Sequence, residues 1–257
     1  MRRGEGEAST RLKAAPAVAR KPAHTAAKPR PASARRAEIA PCIAMEVLSQ
    51  AGALEATGAR VIHMELGEPA APAPRAAREA ARLALERGTV SYTPALGLSS
   101  LRERIARHYG DVYGVALDPG RIAVTTGSSA GFILAFLACF DANDRVAIAS
   151  PGYPAYRNIL EALGIEPVIV ETGPADRWAI TPEAIGAAHA RKPLKGVLVM
   201  SPANPTGVMM SEAAITSLAC ECRRLGLWFI SDEIYHGLTY EVPAATALAP
   251  SPEALIV

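Results

Sequence analysis

Gly196-Val197-Leu198-Val199-Met200-Ser201-Pro202-Ala203-Asn204-Pro205-Thr206-Gly207 is a short apolar run that breaks into a turn, and Leu227-Trp228-Phe229-Ile230-Ser231-Asp232-Glu233-Ile234-Tyr235 repeats the pattern further along. Both runs are too short for a buried helix and rich in β-branched or aromatic residues, so strands are expected over 196–200 and 227–231. The same reading predicts strands over 122–125, 145–149, 166–170 and 254–257, with helical stretches between most of them. Alternating strands and helices predict a mainly parallel sheet with helices on both faces, a three-layer α/β/α fold. Ligands then collect beyond the carboxyl ends of the strands.

Upstream, apolar residues at helical spacing (Ile43, Val47, Leu48, Ala51, Leu54) predict a helix over 43–55, stopped by Thr57-Gly58. A strand over 61–66 and helices over 74–87 and 98–113 follow. The first 37 residues are dominated by Ala, Pro and basic side chains, a composition too polar to offset the entropy of ordering, and read as a disordered basic tail. Order is then expected to begin near Ile39, with one large domain and a fragment of another as the content of the rest.

With 257 residues, 50% hydrophobic and 20% charged, the chain can bury a substantial core. The formal net charge is +2, yet the basic residues crowd the tail and leave the remainder mildly acidic. No basic face for nucleic acid is therefore expected. No apolar run approaches the ~18 residues of a membrane span, and the start lacks the apolar core of a secretory signal, so a cytoplasmic protein is expected. Cys42, Cys139, Cys220 and Cys222 have no framework spacing and read as reduced; Cys220-Glu221-Cys222 lacks the second ligand pair of a zinc site.

The strand ends carry the candidate chemistry. Thr126-Gly127-Ser128-Ser129 precedes an apolar helix, where backbone amides and hydroxyls form a ready anion site; Ser128 or Ser129 as a plain N-cap is the alternative. Pro151-Gly152-Tyr153-Pro154 sets an aromatic at the sheet edge, either stacked on a flat ring or held as a turn residue. An Asp ending a core strand, as Asp232 does, is costly unless its charge is satisfied. A protonated pyridine nitrogen is such a partner, and Asn204 and Tyr235 can donate to an adjacent ring oxygen. A capping Asp and a turn Asn-Pro are the structural alternatives.

Taken in order, Gly67-Glu68-Pro69, Tyr92 to Gly97, Thr126 to Ser129, Pro151 to Pro154, Asn204-Pro205-Thr206-Gly207 and Asp232-Glu233-Ile234-Tyr235 resemble the successive signatures of class I/II aminotransferases. The resemblance implies pyridoxal 5'-phosphate as cofactor and amino-group transfer between an amino acid and a 2-oxo acid. It further implies Asp232 on the pyridine nitrogen, Asn204 and Tyr235 on the ring hydroxyl, Tyr153 stacked on the ring, and Gly127, Ser128 and Ser129 around the phosphate. Tyr92 matches a tyrosine that reaches the phosphate of a neighbouring subunit, which implies a homodimer. Gly67 and Asn204 match positions at the substrate, and the family's two-domain plan implies that residues 38–72 are the N-terminal segment of a small domain and 73–257 a larger, cofactor-binding domain that is incomplete at its C-terminal end.

The family also carries a Schiff-base lysine in a Ser-x-Ser-Lys segment and two arginines, for phosphate and substrate carboxylate; the sequence ends at Val257 ahead of them. Lys192 and Lys195 precede a strand and are no substitute, so no catalytic residue is expected here and the chain by itself is expected to be inactive. A carbon-sulfur lyase of the same fold and a non-catalytic cofactor-binding or interaction protein share these motifs and stand as alternatives. A regulator with an aminotransferase-like sensor would need a helix-turn-helix module that the tail does not offer.

Overall fold

The computed structural model describes residues 37, 39–41, 43–67, 71–88 and 90–257. The expected tail, apart from Ala37, lies outside the described residues, as do Cys42 and Glu68-Pro69 of the Gly67 motif.

Among the described residues, α1 (Ile43–Glu55), α2 (Arg75–Glu86) and α3 (Ser99–Tyr113) precede the sheet, the last stopped by Gly114 in the left-handed conformation. The α/β alternation then runs α4 (Ser128–Cys139), β1 (Arg145–Ser150), α5 (Pro154–Leu163), β2 (Glu166–Glu171), α6 (Pro182–Arg191), β3 (Gly196–Met200), α7 (Glu212–Leu225), β4 (Trp228–Asp232) and β5 (Leu255–Ile256). Local chemistry sets these boundaries. Pro154 and Pro182 occupy first turns, Thr181 and Ser211 accept from the amides of Ala184 and Ala214, and Gly164 and Gly226 end α5 and α7 with positive φ.

The five strands pair in the order β2-β1-β3-β4-β5, every pair parallel. Side chains alternate across the sheet with the period of two that a strand imposes. Val146, Ile148, Leu198 and Ile230 point to one face and pack under Phe132, Phe136 and Phe140 of the α4 region and Tyr156 and Leu160 of α5. Ala147, Val197, Val199 and Phe229 point to the other, against Ile185 of α6 and Ile215, Leu218 and Cys222 of α7. Each fully buried Phe, Leu or Ile contributes about 1.5–3 kcal/mol, so the two apolar layers hold the sheet between its helices. The three-layer expectation is met.

Two expected strands do not form. Residues 122–125 are irregular, with Val124 N–H donating to Leu96 O (3.1 Å) in place of a ladder. Residues 61–66 are also irregular, and Ile62 and Met64 are exposed. Both segments have strand-like composition but no neighbouring strand to pair with among the described residues, and a strand is defined by its partner. The expected 254–257 strand shortens to β5. Cys139, Cys220 and Cys222 are free thiols, and burial pushes Cys222 up to about 12, the behaviour of an inert core residue. Lys192 reaches back to Glu166 at the start of β2 (2.9 Å), placing it at the amino ends of the strands.

Gly196 begins β3 where the chain passes against Phe140: an added Cβ would lie 2.5 Å from the Phe140 ring. Gly196→Ala therefore should cost about 1–3 kcal/mol through overpacking, read as a lower midpoint in denaturant unfolding; an unchanged midpoint would contradict this packing.

Candidate active site

A cavity of about 770 Å³ opens beyond the carboxyl ends of the strands. Its walls bring together Ser128 at the start of α4, Tyr153 after β1, Asn204 after β3, and Asp232 and Tyr235 at the end of β4; Leu66 and Gly67 close it from the N-terminal segment. Six of the expected site residues thus share one space. Gly127 and Ser129 flank Ser128 in the same turn without lining the cavity, and Tyr92 is fully exposed away from it. Among the described residues no lysine or arginine lines it, and none of their His, Cys, Asp and Glu groups forms a metal-binding cluster.

Asp232 is the last residue of β4 and only 2% exposed. Its Oδ2 accepts from the Tyr156 hydroxyl (2.5 Å) and its Oδ1 from the Ile234 amide (3.1 Å). Loss of water pushes its carboxyl above the ordinary value, and the Tyr156 bond, the Ile234 amide and His236 pull the other way without cancelling the burial. Burial and the adjacent carboxylate push the Tyr156 phenol far above its usual range, so it serves as a donor. Tyr156 in turn packs edge-on against Phe132 (centroids 5.1 Å) and Tyr153 (5.3 Å). One aromatic thus links the ring at the cavity wall to the carboxylate at its base. Tyr156 was not among the expected site residues. Its place in the first turn of α5, three residues after the N-cap Tyr153, was the available signal.

The loop after β3 is held by its own backbone. Ser201 N–H donates to Asp232 O (3.1 Å), Ala203 N–H to Val208 O (2.9 Å) and Gly207 N–H to Ala203 O (2.7 Å), with Gly207 at φ 69°. Asn204 N–H points at Met200 Sδ (3.3 Å), and Ser201 Oγ accepts from Met210 N–H (2.9 Å). At α4 the structure departs from a serine N-cap: Gly127, at φ 89°, is the N-cap, Ser128 is already helical, and no side chain caps the helix. The first-turn amides are left without a capping side chain, as an anion-binding helix start requires.

Glu233, beside Asp232, is also buried but turned elsewhere. Its Oε1 accepts from Ala247 N–H (2.8 Å), tying the segment before β5 to the end of β4, and burial again pushes its carboxyl up. The two acids of the Asp-Glu pair therefore have separate duties, one at the cavity and one in the scaffold. No helix among the described residues is long and apolar enough to cross a membrane.

Comparison with known proteins agrees with this geometry. A family model described as aminotransferase class I and II matches residues 59–257. A valine–pyruvate aminotransferase of Mycobacterium tuberculosis is 44% identical over 216 residues, covering 84% of this chain and 55% of that protein. A (5-formylfuran-3-yl)methyl phosphate transaminase of Methanocaldococcus jannaschii is 35% identical, covering 79% and 52%. Among solved structures, the aspartate aminotransferase of Thermus thermophilus with maleate superposes with a TM-score of 0.83 at 30% identity, over 88% of this chain and 59% of that one. The chain spans about half the length of these curated relatives. With the match running through every element that forms the cavity, the chain belongs to the class I and II aminotransferases.

Proposed function

We propose that this chain forms the cofactor-binding part of a transaminase that moves an amino group between an amino acid and a 2-oxo acid, in the cytoplasm and as a homodimer. The observation that carries this reading is Asp232: a carboxylate with little water, at the end of a central strand, facing a cavity in which no lysine or arginine among the described residues meets it. Such a group is stabilised by a cation that arrives with a ligand. The family's cofactor, pyridoxal 5'-phosphate, offers one in its ring nitrogen, and when bound supplies an electron sink for the carbanion formed at the amino acid's α-carbon.

The residues present fit that group. Asp232 would hold the proton on the ring nitrogen, and Tyr156 keeps Asp232 oriented by donating to its second oxygen. Tyr153 would pack on the ring, a contact worth about 0.5–1.5 kcal/mol beyond burial. Asn204 and Tyr235 would donate to the ring oxygen. The uncapped start of α4, with Gly127, Ser128 and Ser129, takes the phosphate. Gly67 and Asn204 border the space left for substrate, and Tyr92, exposed here, is available to a second subunit. The names of the relatives, all aminotransferases or transaminases, favour amino-group transfer over carbon-sulfur cleavage.

Titrating the chain with pyridoxamine 5'-phosphate, which needs no covalent anchor, tests the reading. Saturable binding is expected, and Asp232→Asn should weaken it at least about 10-fold, the scale of a lost charged hydrogen bond; no binding by the unmodified chain, or equal binding by both, would overturn it. The same substitution should stabilise the ligand-free protein near pH 7. The folded-state pKa of Asp232 is raised, so its penalty is absent well below the unfolded value of 3.8 and grows as pH rises past it. The advantage of Asp232→Asn in thermal unfolding should therefore shrink as pH falls toward 4, and an advantage independent of pH would contradict the assignment.

A further inference from the structure

His236 does not line the cavity, yet it ties together two of the segments that build it, the exits of β3 and β4, and the end of α3 beside them. Its Nε2 lies 3.0 Å from the carbonyl oxygen of Ser201, the residue that opens the Asn204 loop. Its Nδ1 lies 2.8 Å from the hydroxyl of Tyr113, the last residue of α3. Glu233 Oε2 stands further off at 3.5 Å, beyond ordinary hydrogen-bonding distance, and the imidazole is 9% exposed.

A carbonyl oxygen can only accept, so Nε2 carries a proton and donates to Ser201 O. Nδ1 meets the Tyr113 hydroxyl, accepting from it when the ring is neutral and donating to it when the ring is charged, while the Nε2–H bond is kept in both forms. The ring packs on Tyr113 with centroids 5.7 Å apart, which fixes its plane. His236 directly follows Tyr235, so one buried side chain spans the exit of β4, the exit of β3 and the end of α3. Backbone pairing between the two exits stops at Ser201 N–H to Asp232 O. Beyond that bond, the imidazole is the described link that carries the spacing onward.

We infer that His236 is a positioning residue: through its Nε2–H bond to Ser201 O it sets the distance between the loop bearing Asn204 and the turn bearing Asp232 and Tyr235. This rests on the cofactor-site reading above, because its effect is felt through Asn204 at the ligand. Gln at this position keeps an N–H near the place of Nε2, whereas Phe keeps the ring's bulk and loses both nitrogens.

The test uses the full chain and pyridoxamine 5'-phosphate in titration calorimetry. His236→Phe should weaken binding about 5-fold or more, the effect of one lost buried hydrogen bond, while His236→Gln stays within about 2-fold of the unmodified chain. In an Asn204→Ala background His236→Phe should cost nothing further, because the contact it positions is already gone. Unaltered affinity in His236→Phe, or an equal loss with and without Asn204, would overturn the inference while leaving the cofactor site standing. If the unmodified chain binds no ligand, both fall. A second readout needs neither ligand nor a folded variant: the ¹⁵N shifts of the His236 ring should report a protonated Nε2, and a proton on Nδ1 alone would overturn the assignment.

Discussion

A carboxylate taken out of water at the end of β4 is the constraint around which this protein is arranged. Asp232 sits where a parallel strand opens toward its ligand cavity, and burial raises the cost of its charge. The surroundings meet that cost only in part, with one phenol and one amide. On the proposed reading, a site left partly unsatisfied in this way takes a cationic partner and trades stability of the free protein for affinity toward it. The phenol itself is made available by packing: Tyr156 is locked between Phe132 and Tyr153, so the apolar layer beneath α4 and α5 also aims a polar group.

The sheet explains why these residues meet at all. Asn204, Asp232 and Tyr153 are far apart in sequence, but Asn204 and Tyr153 follow β3 and β1 and Asp232 ends β4, and these three strands are adjacent and parallel. Parallel pairing in register (Val197 beside Phe229, Met200 beside Asp232) places successive strand exits side by side. The conformation of each exit then decides what faces the cavity. Gly127 and Gly207 turn the chain with positive φ where a side chain would be strained, while Glu233 turns away to fasten the segment before β5.

Much of this was legible in the sequence because the relevant signals are local. Short apolar runs ending in Asp, Asn or Gly identify strands and their exits, and alternation with helices implies parallel order, so the three-layer fold and the cavity's main residues could be read directly. What could not be read depends on distant partners. Residues 61–66 and 122–125 have the composition of strands, yet pairing decides whether a strand exists, and neither is paired among the described residues. Ser128 has the composition of an N-cap, yet the φ of Gly127 starts the helix one residue early. Tyr156 and His236 gain their roles from neighbours 76 and 35 residues away, which periodicity does not reveal.

The central claim is that Asp232 keeps a proton on the pyridine nitrogen of the cofactor. It is tested most directly by the ¹⁵N shift of ring-labelled pyridoxamine 5'-phosphate bound to the chain, followed from acid to alkaline pH. The account predicts a ring nitrogen that stays protonated well above the pH at which the free compound loses its proton. A bound nitrogen that titrates as it does in free solution would contradict it.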